Sequence, residues 1–343
     1  MRQSPAWFGS VMATAALSSA FLEVSDFIGG SLFTGIADAL LVLATILVMG
    51  LTPLYVLRAL HRRDLAQEIA DPVRGPMLAT FPAGILVYAA AWATVGAQWL
   101  GTGIALTVCA ILLVIGATLG LSLSIAWASL QSGEQIDLAE VNGSWLIPPA
   151  MNLVVPLSVA PLMTAYPDQA AWLLGIGLAF YGMGLLLYIP MFSLVVARLA
   201  LRPAPPAETM PSLWVPLAPA GLMGLSLLRL SQAGATTGIL SDGAIALGVV
   251  VCAMGIGLGL WWAMYAFGRL LRARRAGGVP FTPGWWGFAF PIGALVLALA
   301  GLADEMASVP IQVAAFLGFV CLVAVWTVVA LRSSTEALRR WRS

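Results

Sequence analysis

The sequence has few charged residues and no lysine. Charged side chains make up 9% of the 343 residues, whereas a soluble domain carries roughly 25%. Without a Lys/Arg-rich arm, and with a net charge of only +1, nucleic-acid binding is not expected. Apolar residues account for 61% of the chain. This composition predicts an all-α integral membrane protein in contact with the lipid bilayer.

Cysteine and histidine are also scarce. Cys109, Cys252 and Cys321 fall in separate apolar segments and form no CxxC pair, so no disulfide framework is expected. The single histidine is His61, and one histidine cannot form a metal site that requires several ligands. The chain also has no Ser-His pair and no Asp-rich motif for prenyl diphosphates. We therefore expect no metal, no cofactor and no enzymatic activity.

Long apolar segments dominate the chain, and a membrane-spanning helix needs about 20 such residues. Ten segments qualify: 5–22, 36–60, 76–97, 101–130, 144–165, 170–200, 211–231, 241–271, 283–302 and 307–331. No hydrophilic segment is long enough for an extra domain, so residues 1–343 are predicted to form one ten-helix transmembrane domain. The short connections make consecutive helices antiparallel neighbours.

Arginines indicate the orientation of these helices. They lie near both termini and in the three connections after the second, sixth and eighth segments, whereas acidic residues lie mostly at the opposite ends. Under the positive-inside rule, both termini are then cytoplasmic in a multi-pass protein of the cell membrane. The connection with Glu134, Asp137 and Glu140 is acidic on the cytoplasmic side, but acids carry little weight in this rule.

An internal repeat relates the odd-numbered segments. Anchor residues recur about every 70 residues: Trp7, Met77, Trp145, Trp214 and Trp286. Prolines follow four or five residues after four of these anchors: Pro82, Pro149, Pro219 and Pro291. Because proline removes a backbone donor and clashes with the preceding turn, these positions predict helix kinks. Each repeat is then a helical hairpin whose first helix is interrupted.

Five such hairpins predict a quasi-fivefold ring, with the odd helices around a central pore and the even helices outside. Seven residues after the anchors stands a column of small or polar residues that would line the pore: Thr14, Gly84, Asn152, Gly221 and Gly293. Phe81 and Phe290 would narrow it. The alternative is that these small residues allow close packing between membrane helices. The recurring register favours the pore.

Three motifs carry a family resemblance. Ser4–Met12, Ser144–Pro149 and Trp285–Pro291 resemble the first-, fifth- and ninth-helix motifs of the tellurite-resistance/dicarboxylate transporter family. That family includes the TehA proteins, plant slow anion channels, fungal malate permeases and sulfite exporters. The resemblance covers essentially the whole chain. This chain differs from the family pattern in the first helix, where Ala13-Thr14-Ala15 replaces the Gly-Thr-Gly of many relatives.

The resemblance implies a homotrimer in which each subunit has its own pore. It also implies a phenylalanine of the ninth helix that plugs the pore midway. Phe290 occupies the matching position, directly before Pro291, and Phe288 is the second candidate. The Phe81-Pro82 pair repeats this arrangement in the third helix.

Arg229 is the one charged residue deep within an apolar segment. It would attract anions to the outer mouth, as basic side chains do in anion pores. Alternatively it reaches the lipid headgroups or pairs with an acid, for which the candidates are Asp242, Asp304 and Glu305.

The function predicted from the sequence is transport of small inorganic or organic anions through a pore gated by a phenylalanine. The alternative is a proton-coupled carrier for malate-like dicarboxylates or sulfite. A nonconducting receptor or assembly partner is a further alternative, which the absence of ion flux in reconstituted vesicles would indicate.

Overall fold

The computed structural model describes residues 4–61, 65–133 and 135–342. Within these ranges the chain is helical and contains no strand. Ten of its helices are long and apolar enough to cross a membrane, which confirms the all-α prediction. In chain order they are α1 Pro5–Ile28, α2 Ser31–Leu60, α3 Gly75–Leu100, α4 Thr102–Gln131, α5 Gly143–Ala165, α6 Pro167–Leu201, α7 Ala207–Thr236, α8 Asp242–Arg275, α9 Pro283–Glu305 and α10 Val309–Ala337. A short helix, Leu65–Ala70, precedes α3.

All ten segments were predicted, but several ends differ. Helix α1 continues beyond residue 22, through Glu23 and Asp26, and ends before Gly29, whose φ is 74°. A glycine with positive φ is a common helix terminator, whereas an acidic side chain does not break the backbone hydrogen bonds. Hydropathy alone therefore truncated this helix at its first carboxylate.

Burial separates the helices into two layers. In the most apolar window of each odd helix, 72–89% of the residues are buried, against 17–28% in the even helices. The odd helices are therefore the inner layer and the even helices the outer layer. Apolar side chains exposed on the outer layer suit a bilayer, because lipid is itself an apolar solvent for them.

The inner helices contact one another in a closed sequence. Helix α1 packs against α3 and α9, α3 also packs against α5, and α7 joins α5 to α9. Each odd helix also packs extensively against the even helix that follows it. The chain is therefore organised as five helical hairpins, with the first helix of each in the inner layer.

Glycines allow the two layers to approach closely. A Cβ added at Gly224 of α7 would lie 2.2 Å from the Cα of Cys252 on α8. One added at Gly255 of α8 would lie 2.2 Å from the carbonyl oxygen of Ala220 on α7. No side chain fits such distances, so the α7–α8 contact depends on glycine, as in many membrane helix pairs.

The prolines predicted to kink the inner helices have a different role in three of four cases. Three stand in the first turn of a regular α-helix: Pro82 in Thr80–Ala91, Pro149 in Ile147–Ala165 and Pro219 in Leu217–Thr236. Backbone amides of a first turn have no partner within the helix, so proline is tolerated there. These residues mark where the regular helix begins. Pro291 lies inside Trp286–Glu305, and Pro156 and Pro161 lie inside α5.

Candidate functional site

Two cavities lie between the five inner helices. The N-terminal cavity has a volume of about 220 Å³ and is lined by the first turns of all five, including Gly9, Thr80, Ser144, Ser212 and Trp286. The C-terminal cavity has a volume of about 430 Å³ and is lined by later turns, including Glu23, Thr94, Thr164, Arg229 and Asp304. All five inner helices therefore run in the same direction, from the N-terminal to the C-terminal cavity.

Phe290 separates the two cavities. Its side chain and that of Val154 on α5 border both of them. Only 7% of Phe290 is exposed, although open volume lies on either side of it. The neighbouring lining residues are apolar on both sides: Met12, Ala83 and Ala218 border the N-terminal cavity, and Ala16, Val87 and Leu222 border the C-terminal cavity.

The lining residues form one stripe along each inner helix. On α9, Gly287, Phe290, Ala294 and Leu297 follow one another at intervals of three or four residues. Residues spaced in this way share one face of an α-helix. The same face is therefore turned inward from one end of the helix to the other.

The column predicted to line the pore faces the neighbouring helices instead. Thr14 is fully buried, and its hydroxyl oxygen accepts a hydrogen bond from Nε1 of Trp326 on α10 at 3.1 Å. The Asn152 amide donates to the carbonyl oxygen of Pro148, one turn earlier in α5, at 3.2 Å. Neither residue is among the described residues that line the two cavities.

The three glycines of that column lie at helix contacts. A Cβ at Gly84 would lie 3.2 Å from the Phe8 ring, at Gly221 it would lie 2.7 Å from the Ala294 carbonyl oxygen, and at Gly293 it would lie 3.1 Å from Ala16 Cβ. These close contacts are what the close-packing alternative predicts for the three positions.

Phe81 and Phe288 pack away from the cavities. The Phe81 ring stacks on Tyr55 of α2 with a centroid distance of 4.4 Å and meets the Phe8 ring edge-on at 4.6 Å. The Phe288 ring meets Trp214 and Trp285 edge-on at 5.9 and 5.8 Å. Neither lines either cavity within the described part of the chain. Of the three predicted gate residues, Phe290 is the one that borders the two cavities in the described part of the chain.

Arg229 lines the C-terminal cavity, but its partner was not foreseen. Its Nη2 donates to Oε1 of Glu23 on α1 at 2.7 Å, and its Nη1 donates to Oε1 of Gln232 at 3.2 Å. Nε2 of Gln232 donates to Oε2 of Glu305 on α9 at 2.6 Å. Glu23, rather than Asp242, Asp304 or Glu305, is therefore the ion-pair partner of Arg229. The network connects α1, α7 and α9.

Acidic side chains outnumber Arg229 in this cavity. Glu23, Asp26 and Asp304 all line it. A positively charged outer mouth was expected from the sequence, and the formal charges give the opposite sign. The sequence signal that was missed is the stripe through Arg229. Steps of three or four residues back from it reach Leu225, Leu222 and Ala218, which face inward.

Hydroxyl groups and helix ends define the N-terminal cavity. The Thr80 hydroxyl donates to the carbonyl oxygen of Pro5 at 2.8 Å and so joins the starts of α3 and α1. The Ser144 hydroxyl donates to Oδ1 of Asn142 at 2.6 Å. Glu208 is the one ionisable side chain among the described residues that line this cavity. In the same part of the chain, no cluster of three His, Cys, Asp or Glu residues could hold a metal.

Known transport proteins are similar to this chain over most of its length. The profile of the SLAC1 family, described as voltage-dependent anion channel, matches residues 2–333. An uncharacterised transporter of Methanocaldococcus jannaschii is 26% identical, over 85% of this chain and 81% of the relative. A second transporter of that organism is 25% identical, over 84% and 82%. The sulfite efflux pump SSU1 of Arthroderma otae is 22% identical, over 95% of this chain and 88% of the pump.

Proposed function

We propose that this chain, which belongs to the SLAC1 family of voltage-dependent anion channels, conducts small anions along the axis of its five inner helices. Membership of this family makes it a multi-pass membrane transporter and confirms the resemblance seen in its motifs. The observation that carries the proposal is the position of Phe290, whose ring borders both axial cavities. In this proposal the Phe290 ring is the barrier to permeation.

A quasi-fivefold ring is the arrangement that these contacts support best. The inner helices contact one another in an order that returns from α9 to α1, and each supplies lining residues to both cavities. Five parallel helices around one axis satisfy both observations. Their backbone amides bond within each helix, so unpaired backbone groups in the wall are limited to the helix ends and to the carbonyl groups one turn before the prolines inside α5 and α9.

Preference for anions follows from the direction of the inner helices. All five begin at the N-terminal cavity, and each helix N-terminus is equivalent to roughly half a positive charge. Five such ends around one mouth favour a negative ion without any basic side chain, and they act against a single carboxylate among the described lining residues, that of Glu208. The leading helical turns of α7 and α9, Ala207–Trp214 and Pro283–Trp285, have no side-chain cap that would offset this potential.

The barrier is apolar. An anion that moves from one cavity to the other must pass Phe290 and Val154, with alanine, methionine and leucine side chains around them. Hydrophobic constrictions close pores because water leaves them and the ion loses its hydration. Rotation of the one ring that borders both cavities would join them. The side chain alone can then act as the gate.

Orientation and assembly complete the proposal. Arginines near both termini and after α2, α6 and α8 support cytoplasmic termini, which puts the N-terminal cavity on the cytoplasmic side. The resemblance to the tellurite-resistance/dicarboxylate transporter family supports a homotrimer in the cell membrane, with one pore per subunit. Light scattering of the purified protein in detergent measures this oligomeric state directly.

A proton-coupled carrier is the second candidate. Two observations favour it: relatives such as the Arthroderma otae protein are named sulfite efflux pumps, and three carboxylates line the C-terminal cavity. Carboxylates inside a transporter are the usual sites of proton transfer. The substrate would then be sulfite or a dicarboxylate.

The experiment is reconstitution of the purified protein into planar bilayers and vesicles, with chloride, nitrate, sulfite and malate compared side by side. A channel gives a current that follows voltage and rises with concentration without early saturation. A carrier gives saturable uptake linked to a proton gradient. Absence of flux for all four anions would refute both and indicate a nonconducting protein.

A further inference from the structure

Arg229 is the one basic residue among the described residues that line the two cavities, and its guanidinium forms an ion pair with the carboxylate of Glu23. We propose that Arg229 is an anion-binding site of the C-terminal cavity and that Glu23 is its built-in competitor. A small oxyanion binds by displacing the Glu23 carboxylate from the guanidinium. This inference rests on the proposed anion transport and adds a specific residue pair to it.

The chemistry of the two partners supports exchange. A guanidinium presents its donors in a planar fork that binds the oxygens of a carboxylate or of another small oxyanion. Glu23 Oε1 lies 2.7 Å from Nη2, and Gln232 Oε1 lies 3.2 Å from Nη1. These bonds use two of the five donors of an arginine. An incoming oxyanion can therefore contact the guanidinium before Glu23 leaves it.

The position of the pair gives the exchange a functional consequence. Glu23 is on α1 and Arg229 on α7, and these two helices are not neighbours in the inner-helix sequence of contacts; α9 lies between them. Both side chains line the cavity and are about one-quarter exposed, 23% and 28% respectively. The pair therefore reaches across part of the cavity, where an anion leaving the Phe290 barrier would meet it.

The other carboxylates of this cavity must be distinguished from Glu23, because they repel anions without contacting Arg229. Asp26 and Asp304 also line this cavity and repel any anion there, whether or not Glu23 is paired. Removing either acid would ease anion entry through general electrostatics. Removing Glu23 also frees the guanidinium. A partly exposed ion pair stabilises by up to about 1 kcal/mol, which is about fivefold in a binding constant. That factor is the part of the effect specific to Glu23.

The test compares Glu23→Gln with Asp304→Asn in reconstituted vesicles, using nitrate and sulfite flux. Each substitution removes one cavity carboxylate, and Asp304→Asn leaves the Glu23–Arg229 pair intact. The half-saturation concentration should fall about two- to fivefold further in Glu23→Gln than in Asp304→Asn. In an Arg229→Gln background the difference between the two should vanish. Equal effects of the two substitutions, or a difference that persists without Arg229, would overturn the proposal.

A binding measurement that needs no transport is the second readout. In detergent, nitrate should raise the unfolding temperature of Glu23→Gln at lower concentration than that of the wild type, because a ligand of the native state stabilises it. Arg229→Gln should lose this response. If Phe290→Ala conducts anions while nitrate stabilises wild type and Glu23→Gln equally, the competitor proposal fails and anion transport stands. If nitrate selectively stabilises Glu23→Gln while no variant carries flux, the site stands and transport fails.

Discussion

Replacement of Phe290 by alanine should open the barrier between the two axial cavities. The ring is the side chain of α9 that borders both, with about 220 Å³ on one side and 430 Å³ on the other. Truncation to Cβ removes the aromatic surface from this boundary and allows water to connect the two volumes. Pro291 stays in place, so the backbone of α9 keeps its course.

The size of the effect follows from hydration. An ion crossing an apolar boundary loses hydrogen bonds to water, and one uncompensated polar group costs about 2 kcal/mol at the lower end of the measured range. A lowering of the barrier by about 2 kcal/mol corresponds to about thirtyfold in rate. The free energy of unfolding should fall by about 3 kcal/mol, the lower end for Phe→Ala, because open volume already borders the ring on two sides.

Phe288→Ala is the matched control. It removes the same side chain two residues earlier in α9, from a ring packed edge-on against Trp214 and Trp285 at 5.9 and 5.8 Å. This substitution should destabilise the protein as much or more and leave anion flux within about twofold of wild type, since no barrier is removed. Chloride current in planar bilayers and thermal unfolding in detergent measure the two quantities separately.

The reasoning is refuted if Phe290→Ala folds with the expected loss of stability and carries wild-type current. It is also refuted if Phe288→Ala raises the current as much as Phe290→Ala, because the increase would then report general loosening of α9. Phe290→Leu is an intermediate substitution for the same current measurement. A leucine covers part of the boundary, so its current should fall between those of wild type and Phe290→Ala.

Three further substitutions, with Gly175→Ala as a control, test the assignment of the Thr14 column to helix packing. Thr14→Val removes the acceptor of Trp326 Nε1 and should lower the free energy of unfolding by about 1 kcal/mol without changing anion selectivity, as measured by thermal unfolding and reversal potentials. Gly221→Ala places a Cβ against a carbonyl of α9 and should destabilise by about 1–3 kcal/mol, whereas Gly175→Ala, with open space around it, should not. Asn152→Ala breaks a bond within its own helix; flux should stay within about twofold of wild type, and a tenfold loss would return Asn152 to the pore.

Much of the fold was predictable because each membrane-spanning helix has its own local signal. Apolar segments of sufficient length gave ten helices, and the spacing of the anchors grouped them into hairpins. The ends of the helices were harder to predict. The final turns of α1 carry Glu23 and Asp26, which a hydropathy criterion excludes although the backbone continues to Gly29. Charged side chains that line a cavity therefore fall outside the helix bounds that hydropathy predicts.

The lining of the site was only partly predictable, because close helix packing and a pore lumen both produce a recurring column of small residues. Small residues recur in register wherever neighbouring helices approach closely, and they would recur equally along a lumen. Gly221 and Gly293 lie where helices approach closely: the nearest neighbours of Gly221 are on α9, and those of Gly293 are on α1 and α10. Phe290 was identified through its motif. The pairing of Glu23 with Arg229 joins residues 206 positions apart, and no local pattern in one sequence reports such a contact.

The common direction of the inner helices limits how this protein can work. Transporters that alternate access often contain two inverted repeats, which exchange conformations when an outward-facing state becomes an inward-facing one. Five parallel helices are not related to one another in this way. Their two mouths also differ in the described part of the chain: five helix N-termini and one carboxylate, that of Glu208, surround one mouth, and three carboxylates with a single arginine surround the other. In the proposed channel, opening would come from movements of side chains within a fixed wall, and the current through that wall should rectify because its two mouths differ in charge.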